Sequence, residues 1–142
     1  MLSANENILR GLGLSYRKIG CIKELAKWIV DQRIDFSKLR YLPNEDVIAS
    51  LTSIKGIGRW TAEMYLIFSL GRENVLSKGD GTIRRTIQWM YNLEKLPSSK
   101  DLDVYFAYWN QYATIVSAYM WKSIKLGLTQ KSFDEAVKDC GS

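Results

Sequence analysis

Two helices with almost no chain between them constrain this sequence more than any other feature. The stretch Leu51-Thr-Ser-Ile-Lys-Gly-Ile-Gly-Arg-Trp-Thr-Ala-Glu63 ends one apolar-periodic segment and begins another. Only Lys55-Gly56-Ile57-Gly58 lies between them, which leaves room for nothing but a tight turn. Gly56 and Gly58 permit positive φ and leave the backbone N–H groups without covering side chains. Beside a helix N-terminus such N–H groups form a site for an anion such as a phosphate. Ile57 is expected to point inward and pin the turn, and Ala62 to let the helices approach closely. An ordinary glycine-capped turn has the same local pattern, so Gly-Ile-Gly alone does not settle a function.

The same periodicity runs along the rest of the chain and predicts an all-α fold in one domain. Ser15 is placed to cap a helix over Tyr16–Asp31, whose Ile19, Ile22, Leu25, Ala26, Ile29 and Val30 follow helical spacing. A turn of helix is expected around Phe36–Leu39, and Asn44 opens a helix carrying Val47, Ile48 and Leu51. The helix beginning near Arg59 or Trp60 should end at Gly71. Asp80 stands as an N-cap ahead of Ile83, Ile87 and Met90. Ser98 or Ser99 starts a further stretch, an aromatic-rich helix is expected over Trp109–Lys125, and Thr129 is expected to cap a last one through Phe133 and Val137. Within the single domain, the paired helices occupy about residues 45–70, and the Asp80 loop with its following helices occupies 71–142.

Composition removes several chemistries. The 142 residues contain no histidine, so Ser-His-Asp, Cys-His and His-ligated metal chemistry are excluded. The two cysteines, Cys21 and Cys140, have no metal-ligand or disulfide spacing. Catalysis must then use carboxylates, lysines or backbone groups, with no metal and no cofactor expected. No apolar run is long enough to span a bilayer, and the start MLSANENILR lacks the apolar core of a signal peptide. A soluble protein of the cytoplasm (nucleoid-associated) or nucleus is expected, not a secreted one. The net charge is +5. Between Lys55 and Arg85 six basic residues face three acids, which suits a polyanionic partner but equally a solvated charged surface.

Framed by Leu51, Ile54, Ile57 and Ala62, the turn resembles the helix-hairpin-helix motif, which holds the DNA backbone without reading sequence. Downstream, Val75-Leu-Ser-Lys-Gly-Asp80-Gly-Thr-Ile-Arg-Arg85 resembles the Gly/Pro-rich loop and aspartate of the glycosylase superfamily named for that hairpin. Within it the chain is most similar to 3-methyladenine DNA glycosylase II, through Gly56-Ile-Gly-Arg-Trp-Thr-Ala-Glu, Gly13-Leu-Ser-Tyr-Arg-Lys18, Trp109-Asn-Gln-Tyr-Ala113 and Tyr119-Met-Trp121. Lys55 and Ser77 stand where that pattern usually has prolines. Asn110 and Gln111 replace a basic residue and a proline.

The resemblance implies excision of alkylated purines from double-stranded DNA. Asp80 would be the carboxylate that stabilises positive charge developing on the sugar. Trp60 and Trp121 match pocket aromatics that receive the flipped, cationic base. Lys55, Gly56, Ile57, Gly58, Arg59, Thr61, Arg84 and Arg85 would contact DNA. Bifunctional relatives carry a Schiff-base lysine where Trp60 stands, and the four-cysteine iron–sulfur loop of other relatives is absent, so a monofunctional enzyme is implied. A lyase using Lys55 or Lys78 and a non-catalytic DNA-binding module are the alternatives. The family's earlier helices, which precede Gly13, have no counterpart here. The resemblance therefore implies uncovered faces on the helices Tyr16–Asp31 and Trp109–Lys125, and association with a second copy or another chain.

Overall fold

A computed structural model of the chain describes residues 4–140, with side chains through residue 138. Among these residues there are helices and turns and no strand. The chain divides into two compact units, one running up to Leu70 and the other from Gly71.

The first unit contains α1 (Glu6–Gly11), α2 (Tyr16–Val30), α3 (Phe36–Leu39), α4 (Asn44–Thr52) and α5 (Arg59–Phe68). Its helix starts follow short-range capping chemistry. The Ser15 hydroxyl accepts the Lys18 N–H at 3.3 Å, and Asp35 accepts the Ser37 N–H at 3.0 Å. α1 is an addition to the sequence reading. Asn5 caps it, and it buries only Leu9, so its apolar signal is one residue deep. The core takes Ile19 from α2, Leu39 from α3, Val47, Ile48 and Leu51 from α4, and Ala62, Leu66 and Ile67 from α5. Each fully buried Val, Ile or Leu contributes about 1.5–3 kcal/mol. The Phe36 ring meets Tyr65 of α5 edge-on at 5.7 Å. The stripe expected on α2 is covered at one end only: Ile19 is buried, whereas Ile29 and Val30 are exposed. Cys21 carries a free thiol; the side chain of Cys140 lies outside the described residues.

The second unit contains α6 (Gly81–Met90), α7 (Leu102–Trp109), α8 (Ala113–Lys125) and α9 (Phe133–Cys140). Its core joins Leu76, Ile83, Ile87, Leu102, Ala113 and Met120, with Phe106, Trp109, Val116 and Trp121 packed against them. Three expected boundaries move, the first being the stretch read from Ser98 or Ser99, which becomes helical only at Leu102 after a turn in which the Ser98 N–H donates to Asp101 Oδ2 at 2.6 Å. The helix read as Trp109–Lys125 begins at Ala113, because Trp109 ends α7 and the chain turns through a 3₁₀ segment at Asn110–Tyr112. Trp109 belongs to α7 since its ring stacks on Tyr105, one turn earlier, at 5.9 Å. The cap of α9 is Ser132, not Thr129, which lies in a 3₁₀ turn. Ser132 and Glu135 form a capping box, each side chain taking the other's N–H at 3.3 and 3.0 Å.

Candidate nucleic-acid interface and aspartate loop

The turn between α4 and α5 closes through the Ile57 N–H, which donates to the Ile54 carbonyl at 3.0 Å. Gly56 sits at its third position with φ +99°, a conformation L side chains rarely adopt. Gly58 differs from the sequence expectation. Its φ is −92°, an ordinary extended value, and no atom outside its immediate neighbours lies within 4 Å of where a Cβ would stand. Its contribution is open space at the start of α5. No side chain caps that helix at Gly58, and its first internal hydrogen bond runs from the Ala62 N–H to the Gly58 carbonyl. The amides ahead of that bond have no intrahelical acceptor, the arrangement that favours an anion. The inward pin is Ile54, fully buried, while Ile57 is only half-buried. Ala62 is fully buried, as close approach of the two helices requires.

Of the basic residues expected at this turn, Lys55 is exposed and Arg59 is braced. The Arg59 Nε donates to Glu63 Oε1 at 3.0 Å, and its two terminal nitrogens donate to the Glu45 oxygens at 2.6 and 3.1 Å. The Glu45 hydrogen bond, ahead of the charge attraction of both carboxylates, raises the Arg59 pKa against partial burial. One cation thus meets two carboxylates and joins the helices on either side of the turn. Thr61 is exposed on the first turn of α5, and Trp60 is 52% exposed beside it.

In the second unit, Asp80 caps α6: Oδ1 accepts the Thr82 N–H at 2.7 Å and the Ile83 N–H at 3.2 Å. The chain reaches Asp80 through a loop whose Val75, Leu76 and Ser77 are buried. Inside the loop the Asp80 N–H donates to the Ser77 carbonyl at 2.9 Å. The Lys78 ammonium pairs with Asp103 and stands 5.1 Å from the centre of the Phe106 ring. The Lys78 amine is thus engaged by a carboxylate and a ring face within its own unit. Arg84 is half-buried and its Nε donates to the Pro97 carbonyl at 2.6 Å, whereas Arg85 is exposed. Trp121 is half-buried against the core, in a different unit from Trp60. Trp89 meets Phe133 edge-on at 5.1 Å and lines an apolar cavity of about 480 Å³ with Met90 and Met120.

Sequence reasoning missed Glu45, Glu63, Asp103, Ser99 and Thr114, all of which hold these segments in place. Only Arg59–Glu63, at i,i+4 on one helix, had a local signal.

No protein-family model matches the chain. A DNA-3-methyladenine glycosylase of Schizosaccharomyces pombe is 38% identical over 120 residues, covering 84% of this chain and 53% of that protein. A putative DNA-3-methyladenine glycosylase of Bacillus subtilis is 30% identical over 117 residues, covering 82% and 41%. Among solved structures, a DNA-3-methyladenine glycosidase from Bacillus halodurans superposes with a TM-score of 0.79 at 36% identity, covering 96% of this chain and 63% of its own. The 3-methyladenine DNA glycosylase of S. pombe in complex with abasic DNA superposes at 0.75 and 34%, covering 87% and 61%. The chain spans about half the length of the relatives it matches.

Proposed function

Because this chain belongs to the helix-hairpin-helix DNA glycosylase superfamily, we propose that it acts in base-excision repair as a monofunctional glycosylase, hydrolysing the N-glycosidic bond of alkylated purines in duplex DNA. The observation that carries the reading is Asp80, set at the N-terminus of α6 on a loop pinned at several points. Leaving of the base builds oxocarbenium character on the sugar. A preorganised carboxylate stabilises that charge and orients the attacking water. An alkylated purine already carries positive charge, so it departs without a strong general acid, in keeping with a chain that contains no histidine. Trp60 and Trp121 supply electron-rich faces for a cationic base. Lys55, Gly56, Ile57, Gly58, Arg59, Thr61, Arg84 and Arg85 form the DNA-facing set, Arg59 through its brace.

The pairing of Lys78 with Asp103 supports the monofunctional reading, and Trp60 offers no amine. Exposed apolar side chains, Ile29 and Val30 on α2, Ile115 and Tyr119 on α8 and Leu126 just after it, support association with a second copy or another chain. Sedimentation in dilute solution tests that part, and a compact monomer at all concentrations would refute self-association.

Asp80→Asn tests the catalytic part. Asparagine caps a helix as well as aspartate does, so the substitution removes charge and keeps the cap. Release of 3-methyladenine from alkylated duplex should fall by about two to three orders of magnitude, with DNA affinity within a few-fold. Near wild-type release by the variant would discard the assignment. A chain that binds duplex but never liberates a base would be a non-catalytic binding module.

A further inference from the structure

The loop leading to Asp80 has no helix or strand of its own, yet its carbonyls and amides run past buried side chains. Its backbone therefore needs partners from elsewhere in the unit. One residue, Thr114, supplies several of them. The Thr114 hydroxyl donates to the Arg72 carbonyl at 2.7 Å and accepts the Val75 N–H at 3.1 Å. The Val75 carbonyl lies 3.3 Å from the same oxygen, but a hydroxyl has one proton and the nearer Arg72 carbonyl takes it. Thr114 is also the second residue of α8, where a backbone N–H has no intrahelical acceptor. That N–H donates to the Glu73 carbonyl at 2.9 Å. The start of α8 thus grips the loop at three residues, Arg72, Glu73 and Val75, some 40 residues away in sequence. Farther along, the exposed Ser99 hydroxyl donates to the Lys78 carbonyl at 3.1 Å.

We propose that Thr114 is a positioning residue for Asp80: its hydroxyl staples the loop at Arg72 and Val75, and so sets where the carboxylate stands at the head of α6. Asp80 is reached from Val75 through Leu76 and Ser77, both buried, and through the Asp80 N–H to Ser77 carbonyl bond. A shift at Val75 is therefore passed along a short, packed path rather than absorbed by slack chain. Ser99 holds the Lys78 carbonyl, the last but one before Asp80. The inference rests on the reading of Asp80 as the reacting carboxylate.

Thr114→Val keeps the shape and removes the hydroxyl; Thr114→Ser keeps the hydroxyl. Single-turnover base release from alkylated duplex should fall about 10- to 100-fold in Thr114→Val, the scale of a misplaced catalytic group. Duplex affinity should stay within two-fold or so, and Thr114→Ser should restore the rate. In an Asp80→Asn background Thr114→Val should cost no further rate, because it acts through that carboxylate. Amide exchange at Thr82 and Ile83, the two N–H groups that Asp80 caps, should quicken in Thr114→Val while exchange in the middle of α8 does not. That readout needs no activity. Ser99→Ala, at an exposed position, is the second variant if Thr114→Val does not fold, with the same expected signs. An unchanged rate in Thr114→Val beside an inactive Asp80→Asn would overturn the proposal. So would an equal loss in both backgrounds, or unchanged exchange at Thr82 and Ile83. Full activity in Asp80→Asn would instead overturn the reading of Asp80, and exchange alone would then decide whether Thr114 holds the cap.

Discussion

A Cβ at residue 56 would come 2.8 Å from the Cβ of Cys21, closer than such atoms approach in folded proteins. Gly56 therefore answers two demands at once, the φ of +99° that turns the chain and contact with α2. Gly56→Ala should destabilise the protein by about 2–4 kcal/mol, combining backbone strain with overpacking. Gly58→Ala meets neither obstacle and should stay within about 1 kcal/mol of wild type. Urea unfolding of the two variants checks the contrast. If Gly58→Ala still weakens duplex binding on every sequence tested, the loss comes from the amides it covers and not from unfolding.

Arg59 should matter more to stability than to phosphate binding. Its removal leaves the Glu63 carboxylate, 6% exposed, without its guanidinium, whereas removal of Glu45 undoes a pair at the surface. Arg59→Ala should cost about 1–3 kcal/mol. Glu45→Ala should cost about 0.2–1 kcal/mol. Equal losses in denaturant unfolding would show that the buried carboxylate does not depend on the brace.

Base release should proceed without strand cleavage. Lys78 is paired with Asp103 and Trp60 has no amine to attack the sugar carbon. Borohydride added during turnover should trap no protein–DNA adduct. An adduct mapped to Lys55 or Lys78 would overturn the monofunctional reading.

Duplex affinity should fall steeply with salt and ignore sequence, as expected when amides and cations meet phosphates. Arg85, exposed on α6, should carry part of that slope. Arg85→Ala should lower it by about one unit. Arg84 is tied to the Pro97 carbonyl, and Arg84→Ala should show more in unfolding than in the salt slope. A reversed pattern would exchange their roles.

Acid should loosen the start of α7. The Ser98 side chain, then its N–H, and then Arg84 hold the Asp101 carboxyl below the usual carboxylate range. A depressed folded value means the contribution is present above the unfolded pKa and is lost as pH falls through the lower, folded one. The gap in melting temperature between wild type and Ser98→Ala should therefore be widest at neutral pH and begin to narrow near the ordinary aspartate value of about 4. It should shrink further as pH falls through the lower, folded value, leaving only the share due to the Asp101 N–H to Ser98 hydroxyl bond. A gap that does not shrink in acid would assign the effect to something other than this carboxylate.

Capping was legible because its chemistry spans two or three residues. Ser15 and Asp80 announce helix starts by side chains that reach their own next turn, and the structure places both as N-caps. Ser132 and Glu135 carried the same kind of signal, and the reading that favoured Thr129 passed over it. The turn at Lys55–Gly58 was legible too, because two apolar periodicities left only four residues between them. Which of its glycines needed positive φ was not, since that depends on where the turn closes, between Ile54 and Ile57.

By itself, then, the sequence determined that this protein is all helical, where most helices start, and that an aspartate heads the helix after the paired helices. Those features rest on hydrogen bonds and periodicities confined to a few neighbouring residues. The tertiary structure alone decided that Arg59 braces Glu45 and Glu63, that Asp103 pairs with Lys78, and that Thr114 grips the loop before Asp80. Apart from the i,i+4 pair with Glu63, these partners lie 14 to 42 residues apart. No local preference encodes them. They exist because packing the apolar faces brings distant polar groups together, and where burial also excludes water, as at Glu63, the polar group must find a partner.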